Sequence, residues 1–168
     1  RAATGNRRDY VLEFEEIKHD CQSMRDAIKR ANHLAHRSIS VLIEGESGSG
    51  RNLLAHCIHR KSNPSISNFH TINCSAYSDD QLERELFGHT LDGTPRGERS
   101  RTHGLFQKNK DSTLFIEEVD ALPSHLQTRL LHAIADSRNR RRGFRFIFSS
   151  TRSLKEAVAN QSFRTDLF

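Results

Sequence analysis

Ile43-Glu44-Gly45-Glu46-Ser47-Gly48-Ser49-Gly50-Arg51-Asn52 follows the apolar start Val41-Leu42 and precedes Leu53, Leu54, Cys57 and Ile58, which fall at helical spacing. A strand that enters a glycine-rich turn and leaves it as a helix has the layout of a phosphate-cradling loop. Gly45 and Gly50 enclose four residues. The backbone N–H groups between them, together with the helix N-terminus, can wrap the phosphates of a nucleotide. The candidate nucleotide-binding residues are therefore Gly45, Glu46, Ser47, Gly48, Ser49, Gly50, Arg51 and Asn52. Arg51 stands where such a loop carries lysine. Lysine offers a compact charge on a flexible stem, whereas arginine brings a planar fork that needs more room. Phosphate binding survives that exchange more easily than catalysis does.

On either side of the loop the pattern alternates. Arg1 to Arg8 is polar and reads as the end of a linker, so residues 1–12 are assigned to a connection from an upstream domain and 13–168 to one α/β unit. Met24, Ile28, Ala31 and Leu34 predict a helix before the first strand. After the loop helix come a strand over Phe69 to Cys74, a short helix around Asp80 to Leu86, and a polar, glycine-bearing stretch from Gly88 to Gly104 that is too long for a tight turn. Thr113-Leu114-Phe115-Ile116 reads as a buried strand. Pro123 starts a helix carrying Leu126, Leu130, Leu131 and Ile134, and Phe144 to Phe148 forms a further strand. Strands alternating with helices imply a parallel sheet flanked by helices.

A chain of 168 residues can bury one sizeable core. Its 26 Lys and Arg against 21 Asp and Glu leave a net charge of +5, which suits an anionic partner. Cys21, Cys57 and Cys74 are odd in number and in no metal-like spacing, as in a reduced, cytoplasmic protein. No apolar run approaches the roughly 20 residues of a spanning helix, so a membrane is excluded as a partner. His56 and His59 lie one helical turn apart, without a third ligand at metal spacing. The run Arg138-Asn139-Arg140-Arg141-Arg142 reads as a solvated loop; its functional alternative is a grip on phosphates of DNA or of a dinucleotide.

Taken together, the blocks Gly45-Glu46-Ser47-Gly48, Ile72-Asn73-Cys74, Glu85-Leu86-Phe87-Gly88-His89, Gly104-Leu105-Phe106, Thr113-Leu114-Phe115-Ile116-Glu117-Glu118, Leu126-Gln127 with Leu130-Leu131, and Phe163-Arg164-Thr165-Asp166-Leu167 resemble the AAA+ domain of bacterial enhancer-binding proteins, the ATPases that remodel RNA polymerase holding sigma-54. The resemblance covers nearly the whole chain. It implies a P-loop NTPase core whose helical lid and C-terminal DNA-binding domain lie outside this sequence. Implied cofactors are ATP or ADP with Mg²⁺. Implied partners are RNA polymerase, DNA through that C-terminal domain, and further copies of the chain as a dimer or hexamer.

The same resemblance assigns roles to single residues. Glu117 occupies the place of the Mg²⁺-associated aspartate, and one extra methylene disturbs a metal that demands near-ideal octahedral geometry. Glu118 matches the carboxylate that activates water, Asn73 the residue that holds it, and Arg164 an arginine supplied across a subunit interface. Thr151 stands where the family places a polar sensor of the γ-phosphate. The polymerase-contacting loop departs most: Gly93-Thr94-Pro95-Arg96-Gly97-Glu98 keeps the outer glycines and lacks the Phe and Thr that engage sigma-54. These changes describe a degenerate member, with hydrolysis weak or lost, acting as a scaffold gated by nucleotide or by cyclic di-GMP. Such a scaffold is similar to the biofilm regulators of the VpsR kind. Against cyclic di-GMP stand Glu15 and His56, at positions where related flagellar regulators carry arginine. Two alternatives stay open: a working ATPase that remodels polymerase, and a nucleotide-free module for oligomerisation and DNA binding.

Overall fold

The computed structural model describes Phe14, Ile17 and residues 21–37, 39–62, 68–91, 100–108, 112–139 and 144–168. The expected linker, the departing loop Gly93 to Glu98 and Arg140 to Arg142 of the basic run lie outside the described residues. The strands are β1 (Val41–Glu44), β2 (Asn68–Asn73), β3 (His89–Leu91), β4 (Ser100–Thr102), β5 (Ser112–Glu117) and β6 (Arg145–Ser150). The helices are α1 (Gln22–Ala35), α2 (Arg51–Ser62), α3 (Asp79–Phe87), α4 (Leu105–Lys108), α5 (Ser124–Asn139) and α6 (Leu154–Ala159).

Four strands form one parallel sheet in the order β1-β6-β5-β2, as the alternating pattern requires. Successive side chains of a strand point to opposite faces, and the core divides accordingly. Val41, Ile43, Phe115 and Ile147 face Ala31 and Ala35 of α1 and Leu54, Ala55, Cys57 and Ile58 of α2. Ile72 and Ile116 face Leu82 and Leu86 of α3, Leu126 and Leu130 of α5, Leu154 of α6 and Phe163. Because β5 is covered on both sides, Ser112 through Ile116 are all buried, which is why Leu114-Phe115-Ile116 reads as a continuous apolar run.

The sequence misses the short helices α4 and α6 and one pair of strands. The stretch after Gly88 holds a two-stranded antiparallel hairpin, with His89 opposite Thr102 and Leu91 opposite Ser100. Its base is fixed tightly: a Cβ on Gly104 would stand 2.3 Å from the Gly88 nitrogen, and Gly88 itself ends α3 at φ +79. Gln107 Nε2 donates to Phe87 O at 3.1 Å across the same junction. At its other end α3 starts from Ser78, whose N–H donates to Gln81 Oε1 at 3.3 Å, with Asp79 and Asp80 suiting the positive end of the helix dipole. α5 begins at Ser124, one residue later than expected, because Pro123 supplies the carbonyl that accepts from Leu126 and Gln127.

Candidate functional site

In a parallel sheet all carboxyl ends lie along one edge, where open α/β sheets bind ligands. That edge collects Glu44 and the loop after β1, Asn73 after β2, Glu117 and Glu118 after β5, and Ser150 and Thr151 after β6. The loop is tied to the sheet through Gly45 N–H, which donates to Ser150 O at 3.1 Å. Glu44 Oε1 accepts the Leu154 N–H at 2.7 Å, joining the end of β1 to the start of α6.

Within the loop Gly48 and Gly50 have φ of +80 and +86, the left-handed region that glycine enters without strain. Ser49 N–H bonds back to Glu46 O at 3.2 Å, and Leu54 N–H makes the first helical bond, to Gly50 O, at 2.9 Å. The N–H groups of Arg51, Asn52 and Leu53 thus open α2 without intrahelical acceptors, the arrangement that receives an anion. Arg51 turns back over the loop, its Cγ 3.9 Å from the point a Cβ on Gly45 would occupy. Its Nη1 is buried and has no hydrogen-bond partner.

Glu118 sits at φ 53, ψ 49, a left-handed conformation that costs a non-glycine residue about 1 kcal/mol or more and persists only where the surroundings enforce it. It leads into a 3₁₀ turn over Val119–Ala121. The sequence expects Asn73 to hold Glu118; in the fold a serine stands between them. Asn73 Oδ1 accepts from the Ser75 N–H at 2.9 Å, and the single Ser75 Oγ–H lies between Asn73 Oδ1, at 2.9 Å, and Glu118 Oε2, which share it. A short polar side chain at a strand end is drawn first to the backbone two residues on, which leaves the carboxylate to the hydroxyl. Glu117 lies in register with Asn73 on neighbouring strands. Among the described residues no three His, Cys, Asp or Glu side chains are grouped to hold a metal by themselves. Mg²⁺ at Glu117 would therefore draw most of its oxygens from water and phosphate, its usual habit beside a nucleotide.

Sequence reasoning gave Asp120 no role, yet it is the partner of the residues that end and follow β6. Ser150 Oγ donates to Asp120 Oδ1 at 2.9 Å, and Thr151 Oγ1 to Oδ2 at 3.5 Å. Cys74 lies buried beneath these carboxylates, and burial first, then Asp120, Glu118 and Glu117, pushes its thiol up to about 12. It is no nucleophile. Arg164 lies after α6 rather than among the carboxylates. Its Nε and Nη2 donate to Asp166 at 2.9 and 2.7 Å and Nη1 to Thr128 Oγ1 at 3.1 Å. His56 and His59 share the ring of Phe69, at 4.2 and 5.0 Å between centroids, and His59 Nδ1 is bonded to Thr113 Oγ1 at 2.8 Å.

Residues 17–168 match the family model of the sigma-54 interaction domain. The DNA-binding transcriptional regulator NtrC of Escherichia coli K12 is 36% identical over 161 residues, covering 91% of this chain and 34% of that protein. The chain belongs to the sigma-54 interaction domain family. NtrX from Brucella abortus, solved in complex with ATP, superposes on this sigma-54 interaction domain at a TM-score of 0.73 and 26% identity over 91% of the chain and 36% of its own length. For the fold alone, the P-loop NTPase domain of the sigma-54 transport activator from E. coli matches at 0.60 and 18% identity, over 89% of each chain. The sigma-54 interaction domain described here spans about a third of the length of NtrC and NtrX. Among its described residues no helix is long and apolar enough to cross a membrane.

Proposed function

We propose that this sigma-54 interaction domain is the nucleotide-binding AAA+ core of a transcriptional regulator related to NtrC, in which occupancy by ATP or ADP, rather than rapid hydrolysis, sets the state. One observation carries the reading: Arg51 Nη1 is buried without a hydrogen-bond partner, beside a loop whose glycines Gly48 and Gly50 hold left-handed φ angles. A buried donor without an acceptor is costly, and a phosphate oxygen beside the α2 N-terminus answers it. NtrX, solved with ATP, supports nucleotide as the anion. Slow turnover follows from the same residues, since the arginine fork and the longer Glu117 displace phosphate and Mg²⁺ from the geometry that in-line transfer needs.

Around this core the whole regulator is read as acting on RNA polymerase without the usual sigma-54 contact, self-associating as a dimer or hexamer, and reaching DNA through its C-terminal domain. The lost Phe and Thr between Gly93 and Glu98 support the missing contact. Calorimetric titration of the full regulator with ATP, ADP and cyclic di-GMP tests the proposal. ATP and ADP should bind, and Arg51→Ala should weaken both at least about tenfold, one charge-assisted contact being worth ~1.5 kcal/mol or more. Heat from cyclic di-GMP alone would move the ligand to the dinucleotide class; silence for all three would leave a nucleotide-free module.

A second reading, a working ATPase, is favoured by the strained backbone of Glu118 and the hydroxyl that grips its carboxylate. Turnover that disappears with Glu118→Gln would establish it.

A further inference from the structure

Gln127 is 1% exposed, the most deeply enclosed amide side chain among the described residues, and both its amide hydrogens and its carbonyl oxygen are engaged. Nε2 donates to Leu122 O at 2.8 Å and to Ser162 O at 3.1 Å, while Oε1 accepts the Arg164 N–H at 2.9 Å. All three partners are backbone groups. Leu122 closes the 3₁₀ turn that begins at Glu118, and Ser162 and Arg164 belong to the segment that follows α6. One side chain therefore ties the carboxylate-bearing turn to the arginine-bearing segment, two stretches about forty residues apart in the chain. The next residue completes the grip, because Thr128 Oγ1 accepts from Arg164 Nη1.

An amide suits this task and few other groups do. It offers two donors and an acceptor in one plane, and a buried network that satisfies all of them fixes a single arrangement. A carboxylate in its place would lose both donors. An apolar side chain would leave two carbonyls and one N–H unpaired. Arg164 itself is exposed and paired with Asp166, so its guanidinium alone does not fix where the residue sits.

We propose that Gln127 is the positioning residue for Arg164: it holds the Arg164 main chain at a set distance and orientation from the Glu118 turn, so that the guanidinium is presented correctly to a neighbouring subunit's nucleotide. This rests on the reading of Arg164 as a residue that acts across an interface. The role lies on the donor side of that interface, which makes it separable from simple support of the fold.

Two measurements on the full chain test it. The first is amide hydrogen exchange in Gln127→Met: the Arg164 amide should lose at least tenfold of its protection while amides of β5 and β6 keep theirs. Unchanged protection at Arg164 would overturn the proposal whether or not the protein turns over ATP. The second uses mixed subunits. Arg164→Ala chains keep a complete pocket, Glu118→Gln chains keep the arginine, and each is inactive alone; mixing them should restore turnover. Adding Gln127→Met to the Glu118→Gln chains should remove that restored turnover, whereas adding it to the Arg164→Ala chains should retain most of it. Equal loss in both arrangements would reduce Gln127 to a folding residue. If the wild-type protein shows no turnover at all, the ATPase reading fails, and the exchange result alone decides the role of Gln127.

Discussion

The two ends of the parallel sheet are built on opposite principles. At the carboxyl edge stand the loop with its left-handed glycines, the strained Glu118, an unclaimed Arg51 nitrogen and three carboxylates in close company. At the amino edge buried polar groups are tied mainly to one another and to the backbone: His59 with Thr113, Ser137 Oγ with the Phe144 N–H at 2.8 Å, and Arg145 with the last carbonyls of α1, Ala35 O at 2.5 Å and Leu34 O at 3.1 Å, its Nε alone left without a partner. The left-handed backbone of Glu118 and of the loop glycines lies where a ligand would sit, whereas the hydrogen bonds of the amino edge hold the layers together. The difference teaches that a polar group in a core does not mark a site by itself, partnered or not; it does so beside a strained backbone and an open helix N-terminus.

If that division is right, substitutions at the two edges should fail in different ways. The largest effect belongs to Glu118→Gln, which should lower any ATP turnover of the full regulator by about 10²–10⁴-fold and leave the urea unfolding midpoint nearly unmoved. A large midpoint shift instead would place Glu118 among the structural groups.

The amino edge is read next through pH. Burial, and then the charges of His56, Arg145 and Arg60, lower the His59 pKa from 6.5 to about 4. The folded protein then binds fewer protons there than the unfolded chain does between those values, so stability rises with pH. It should be fully present above pH 6.5 and decline as acid takes the solution toward pH 4, by at most about 3.5 kcal/mol at ~1.4 kcal/mol per unit. Urea melts from pH 7 to 4, compared with His59→Gln, would show it as the part of the slope that the variant loses.

The smallest expected change is from Arg145→Met. Burial pulls that guanidinium below its ordinary pKa, though it stays charged, and its removal strands two carbonyls at the end of α1. A loss of about 2 kcal/mol in unfolding free energy, with nucleotide affinity unchanged, is the outcome that keeps the two edges separate.

Much of this plan is legible in the residues. The loop from Gly45 to Asn52 declares itself because glycine spacing, strand and helix coincide, and β5 does so because a strand covered on both faces carries an unbroken apolar stretch, Leu114-Phe115-Ile116. The hairpin of β3 and β4 stayed hidden: His89-Thr90-Leu91 and Ser100-Arg101-Thr102 carry no alternation of apolar and polar residues, and their pairing is fixed by the packing of Gly104 on Gly88, which no local pattern records. At the candidate site the carboxylates could be named from the family blocks, but Ser75 could not, because its hydroxyl meets Glu118 from 43 positions away. Gln127 was visible as part of a matching block, yet its three backbone partners became apparent only once the turn at Leu122 and the segment at Arg164 were brought together.

The left-handed torsion at Glu118 narrows the routes by which this protein can drift. Whatever replaces that glutamate must tolerate a backbone that β-branched side chains resist, so inactivation should run through Asn, Asp or Gly, and seldom through Val, Ile or Thr. Lineages that have abandoned hydrolysis would then be recognisable by which small or amide-bearing residue they settled on there, long before the rest of the nucleotide pocket had worn away.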